Sequence, residues 1–128
     1  MRVFLGIFLI FHGMVHAIYI GQALRWFELR PGMPWPTGAW TLASLSDGTL
    51  RAFASVTIGV ASLGLMLGGA GMLFKWGWAD WVAIGGAVLA SVVHVLLWNG
   101  KWAEAADHGG YGVIINVAAI VAILVVRS

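Results

Sequence analysis

The chain of 128 residues is 61% hydrophobic and 9% charged, with a mean hydropathy of +0.93 and a formal net charge of +2. Soluble domains carry roughly a quarter charged residues, so this composition describes an integral membrane protein, and one domain. The absence of cysteine excludes disulfides, thiolate metal sites, thiol catalysis and iron–sulfur clusters, leaving histidine, carboxylate or an organic cofactor for any redox or metal chemistry. Lys and Arg are spread along the chain without forming a basic stripe, so nucleic acid is not an expected partner.

A helix crosses the hydrocarbon core with about 20 apolar residues, and runs of that kind lie at approximately 3–24, 52–74, 79–98 and 110–126. The first follows Arg2, but its apolar part outlasts the ~7–15 residues of a signal-peptide core and no small-x-small cleavage site follows, so it is expected to remain as a span. Between the first two runs lies "RWFELRPGMPWPTGAWTLASLSDGTLR", whose three prolines and several glycines preclude a continuous helix. Its Trp26, Trp35 and Trp40 suit the headgroup region, which predicts an ordered Trp- and Pro-rich cap on one membrane surface. In the second run "GLMLG" sets Gly64 and Gly68 at a small-xxx-small spacing, a helix-packing device. The third and fourth runs follow through the short "KWGWAD" and "NGKWAEAADHGG". The expected architecture is all-α: an integral membrane four-helix bundle, up-down-up-down, with the lipid bilayer as its first partner. The basic residues do not orient it cleanly by themselves, but four of the five acids (Glu28, Asp47, Glu104, Asp107) fall on the long-loop side, and both termini are expected to be cytoplasmic.

"FHGMVH" places His12 and His16 one turn apart on one face of the first span. At about 1.5 Å per residue, His94 near the end of the third span reaches the depth of His16, and Asn116 in the returning fourth span reaches that of His12. Gln22, Asn99, Glu104, Asp107 and His108 fall at the surface just above. The strongly polar intramembrane side chains therefore share one half of the bilayer, which predicts a polar pocket lined by His12, His16, His94 and Asn116 and opening toward the long-loop face. The competing reading is structural: imidazoles hydrogen-bonding between helices contribute roughly 0.6–2 kcal/mol each as packing contacts.

Several ligands fit such a pocket in principle. Two imidazoles at i and i+4 suit a metal ion, but no carboxylate lies within the spans to complete a site, and no metal is assigned. Haem b would need axial ligands from opposite sides, for which His16 and His94 on two helices are the available pair. A quinone fits more readily, because its carbonyls need one or two donors such as an imidazole N–H or an Asn amide within an apolar slot, and imidazole suits proton exchange near neutral pH. Ser44, Ser46 and Ser55 have no neighbouring base at a telling spacing, so nothing points to a hydrolase.

The His12-Gly13 pair in "LIFHGMVH", the "HVLLWNG" of the third span (His94, Asn99, Gly100) and the "GGYG" opening the fourth (Gly109, Gly110, Tyr111) make the sequence similar to the DoxX-like group of small four-helix membrane proteins. The similarity extends over nearly the whole chain in helix number, order and loop length. It implies a membrane component associated with quinone-linked oxidoreduction, acting within a complex, in a bacterial inner membrane. Two features depart from the group: His16 stands where members commonly carry a basic residue, and the second run, taken from residue 52, has no acid. The function expected is that of a subunit of a membrane redox system, with a protein partner or homo-oligomer to complete it. The alternatives are a non-enzymatic accessory or assembly subunit, in which Trp26, Trp35, Trp40, Trp98 and Trp102 anchor or dock, and a haem protein using His16 and His94.

Overall fold

The computed structural model describes residues 1–128. The chain is all-helical: α1 (Arg2–Ala23), α2 (Asp47–Leu73), α3 (Ala79–Leu97) and α4 (Gly110–Arg127), with one 3-10 turn at Trp102–Glu104 before α4. All four helices are long and apolar enough to cross a membrane. Each packs on its neighbour in sequence, and α1 meets α4 over a small area to close the ring.

The expected spans agree with these helices except at the start of α2, which begins at Asp47 rather than near residue 52. Ser46 supplies the reason: its hydroxyl accepts the Thr49 backbone N–H at 3.2 Å, and Asp47 places a negative charge in the first turn, both favourable at a helix N-terminus. The last five residues of the expected loop are therefore helical, and the second helix does carry an acid.

Glycines set the spacing of the first three helices. A Cβ at Gly6 would stand 2.7 Å from the Gly69 carbonyl oxygen, one at Gly64 3.1 Å from Gly86 Cα, and one at Gly68 2.6 Å from the Ala83 backbone nitrogen. The "GLMLG" spacing thus packs α2 directly against α3, as small-xxx-small spacing predicts. Buried apolar side chains form two clusters. One, toward the termini, contains Leu9, Leu65, Met72 and Ile123; the other, toward the long loop, contains Trp35, Ile58, Val93 and Leu97.

The loop between α1 and α2 is held by specific hydrogen bonds. Arg25 donates to the Trp35 and Pro36 carbonyls and to Asp47 at 3.0–3.1 Å. Trp40 and Thr41 donate to the Val95 and Leu96 carbonyls, so the loop is latched onto the last turn of α3. The three loop tryptophans do not behave alike. Trp26 and Trp40 are exposed, whereas Trp35 is 2% exposed and caps the bundle from within. Its ring packs edge-on against Tyr19 at 4.9 Å and lies 5.5 Å from the His94 ring.

Candidate functional site

Between the two apolar clusters lies a polar layer. α1 supplies His12 and His16, α3 supplies Ser91 and His94, and α4 supplies Asn116; both histidines of α1, His94 and Asn116 are buried. The His12 Nε2 donates to Asn116 Oδ1 at 2.7 Å, and His16 Nε2 donates to the same oxygen at 3.3 Å. His94 Nε2 donates to His16 Nδ1 at 3.2 Å. The Asn116 amide nitrogen donates to Ser91 Oγ at 3.1 Å, and Ser91 donates onward to the Ala87 carbonyl at 2.9 Å.

The hydrogen positions follow from satisfying the network. With the amide nitrogen committed to Ser91, the amide oxygen faces both α1 imidazoles and each must present an N–H to it. His16 then offers a lone pair at Nδ1, which fixes the proton of His94 on Nε2. All five side chains are neutral in this arrangement. It joins three helices and makes one of the few contacts between α1 and α4. Gly112 permits that approach, because a Cβ there would stand 3.2 Å from the His16 ring.

One end of the network is uncommitted. His94 Nδ1 is buried and has no hydrogen-bond partner, and the same is true of His108 Nδ1. Both side chains line a single cleft of about 530 Å³ between the end of α3, the 3-10 turn and the start of α4, walled mostly by apolar groups including Trp98, Trp102, Tyr111 and Ile114. That volume lies within the roughly 300–1,000 Å³ of small-molecule sites. Trp102, Tyr111 and Ile114 are exposed, so the cleft is bordered by apolar groups at the surface of the bundle. His94 Nδ1 is screened there by Gly109, whose φ is +92° and whose missing Cβ would fall 2.5 Å from that nitrogen.

All four residues expected from the sequence to form the pocket are brought together, at the relative depths their spacing implies. The open space, however, is lined by His94 and not by His12, His16 or Asn116, whose polar atoms are turned onto one another. Two members were missed. Ser91 is one helical turn from His94 on the same face, a spacing that was available as a signal. His108 was expected at the surface but is 4% exposed, tucked under the turn that returns the chain into α4. Burial pushes its imidazole below the ordinary value of 6.5, against the opposing influence of Glu104 and Asp107.

No three His, Asp or Glu side chains are arranged to hold a metal ion. A macrocycle does not fit between His16 and His94 either. Their facing nitrogens are 3.2 Å apart, whereas two axial nitrogens at about 2 Å from a metal on opposite sides stand roughly 4 Å apart with the ring plane between them. Comparison with protein-family models, with curated proteins and with solved structures gives no match.

Proposed function

We propose that this chain is a DoxX-like subunit of a quinone-linked membrane redox system, and that it binds a quinone or quinol ring in the cleft beside His94. The carrying observation is that an apolar, aromatic-walled cleft has two buried imidazoles in its lining, each with an unpaired Nδ1. A buried polar atom without a partner is costly, at about 1–3 kcal/mol, and a ligand oxygen at that position relieves the cost. Because His94 carries its proton on Nε2, its unpaired Nδ1 is an acceptor, which favours the hydroxyl of a quinol over the carbonyl of a quinone. The Gly109–Gly110 turn must yield slightly for the oxygen to reach it.

Within this reading His12, His16 and Asn116 hold the tautomer and orientation of His94 and do not touch the ring. The chain has no cysteine and no set of metal-ligating side chains, and in this reading electrons pass to a protein partner or within a homo-oligomer. The loop face carries four basic and four acidic residues and the terminal face three basic and one acidic; basic residues alone do not orient the chain, and the reading with cytoplasmic termini in a bacterial inner membrane rests on the short, sparsely charged connections of the terminal face. Asp47 at the head of α2 also removes one of the two departures from the DoxX-like pattern.

The test is an absorption spectrum followed by organic extraction and mass spectrometry on protein purified in mild detergent from its native membrane. Co-purifying quinone, reduced in His94→Leu and His16→Leu, supports the reading; quinone content indifferent to both substitutions refutes it. The second reading, a non-enzymatic accessory subunit, is favoured by the mutual hydrogen bonding of His12, His16, Asn116 and Ser91, which is what helix-joining side chains require. It predicts a ligand-free preparation whose histidine variants lose stability alone.

A further inference from the structure

His108 stands at the boundary of two spaces of opposite character. On one side is the apolar cleft. On the other is a polar surface hollow of about 390 Å³, between the α1–α2 loop at Gly32, Thr37 and Gly38 and the side chains of Asn99, Lys101 and Glu104. His108 lines both, and no other residue does. Its two ring nitrogens are differently placed. Nε2 lies 3.9 Å from Glu104 Oε2, while Nδ1 is unpaired.

Glu104 is held for this contact. Asn99 Nδ2 donates to its Oε2 at 2.5 Å and Lys101 Nζ approaches Oε1 at 3.5 Å, and the 3-10 turn Trp102–Glu104 fixes its backbone. The other charged groups near His108 are Lys101 and Asp107, the latter paired with Arg30 of the long loop at 2.9 Å. The Leu97 carbonyl offers His108 a further acceptor from α3. A side chain that borders both an apolar cleft and a polar hollow, with one buried nitrogen unpaired and the other beside a carboxylate, has the connectivity of a proton carrier, since imidazole takes a proton at one nitrogen and releases it from the other.

We propose that His108, backed by Glu104, carries protons between a ring hydroxyl bound in the cleft and the water of the surface hollow. The inference rests on the quinol reading of the cleft. In the forward direction the ligand O–H proton passes to His108 Nδ1, and the Nε2 proton passes to a Glu104 oxygen once the 3.9 Å between them closes to hydrogen-bond length. Glu104 releases it to water, and the imidazole turns to present an unprotonated nitrogen again before the second proton follows. Electrons take no part in these steps and leave the ring separately. His94, joined to the closed network, has no comparable path outward, because the chain of hydrogen bonds behind it passes through the Asn116 amide, which neither accepts nor releases a proton at neutral pH, and closes on the Ala87 carbonyl.

The experiment uses the full chain in lipid nanodiscs, with durohydroquinone as probe and ferricyanide in the aqueous phase as electron acceptor. Each ring oxidised reduces two ferricyanides and releases two protons to water. Binding is read from tryptophan quenching at Trp98 and Trp102, and oxidation from ferricyanide absorbance. The expected result is that His108→Ala binds the probe several-fold more weakly, because one ring contact is lost, but at saturating probe oxidises it about 10-fold or more slowly, where general acid–base groups usually contribute about 100-fold or more. Added imidazole, entering through the hollow, restores the rate, and Glu104→Gln falls between the two. His108→Gln, which keeps the volume and some polarity, serves if the alanine variant fails to fold and is expected to be slow. An unchanged rate at saturating probe, or in the alanine variant a slow rate that imidazole does not restore, overturns the carrier role and leaves the ring-binding reading standing. Failure of the parent chain to bind the probe overturns that reading and the carrier role together.

Discussion

Replacing Asn116 by Leu removes the side chain that ties α4 to α1 and α3 through hydrogen bonds, while keeping the number and branching of its heavy atoms. Three bonds are lost: the His12 and His16 donations at 2.7 and 3.3 Å and the donation to Ser91 at 3.1 Å. Interhelical hydrogen bonds in membranes average about 0.6 kcal/mol each, giving about 2 kcal/mol for three. Unpaired donors add to this. His16 can move its proton to Nδ1 and donate to His94 Nε2 instead, but His12 Nε2 loses its only acceptor, at about 1–3 kcal/mol. Ser91 keeps its bond to the Ala87 carbonyl and adds little. The expected destabilisation is therefore about 3–5 kcal/mol. It is measured as the shift in unfolding free energy on titration of the detergent-solubilised protein with sodium dodecyl sulfate, followed by circular dichroism. A loss below about 0.5 kcal/mol, beneath the membrane average for even one such bond, would show that the layer does not hold α1 to α4 and refute the hydrogen-bond assignment.

Gly109→Ala is expected to lose about 2–4 kcal/mol, since its φ of +92° disfavours any Cβ and the new methyl would meet His94 Nδ1 at 2.5 Å; unchanged stability would mean the turn is free to move. Gly68→Val should separate α2 from α3, because even a Cβ would stand 2.6 Å from Ala83, whereas Gly85, with nothing within 4 Å, should accept Val with little change; equal melting temperatures for the two variants would contradict the packing. For His108 the folded imidazole titrates below its ordinary value of 6.5, so as pH falls through 6.5 the unfolded chain binds a proton that the folded chain does not. Stability is fully retained above that pH and falls below it. His108→Gln should flatten this acid-side loss, and an unaltered profile would place the sensitivity elsewhere.

The helices were legible because each needs only a contiguous apolar run, and the start of α2 was missed because Asp47 and Arg51 look like loop residues until Ser46 is seen to cap them. His12, His16, His94 and Asn116 were legible because antiparallel helices of fixed rise convert sequence position into depth. His108 was not, because residues between α3 and α4 have no such ruler. The burial of Trp35, unlike its exposed neighbours Trp26 and Trp40, was hidden for the same reason: an irregular segment has no period from which to read which side chain turns inward.

Sequence alone therefore determined the number and order of helices long and apolar enough to cross a membrane, and the layer at which polar side chains meet, since these depend on hydrophobic length and helical rise. Only the tertiary structure decided which of those side chains are turned onto one another and which border open space. The three imidazoles of the spans are alike in sequence, but two of them have their Nε2 atoms on the Asn116 oxygen while the third lines a cleft. That difference arises from how α4 and the turn before it lean against α3, a matter of packing between segments that no local pattern encodes.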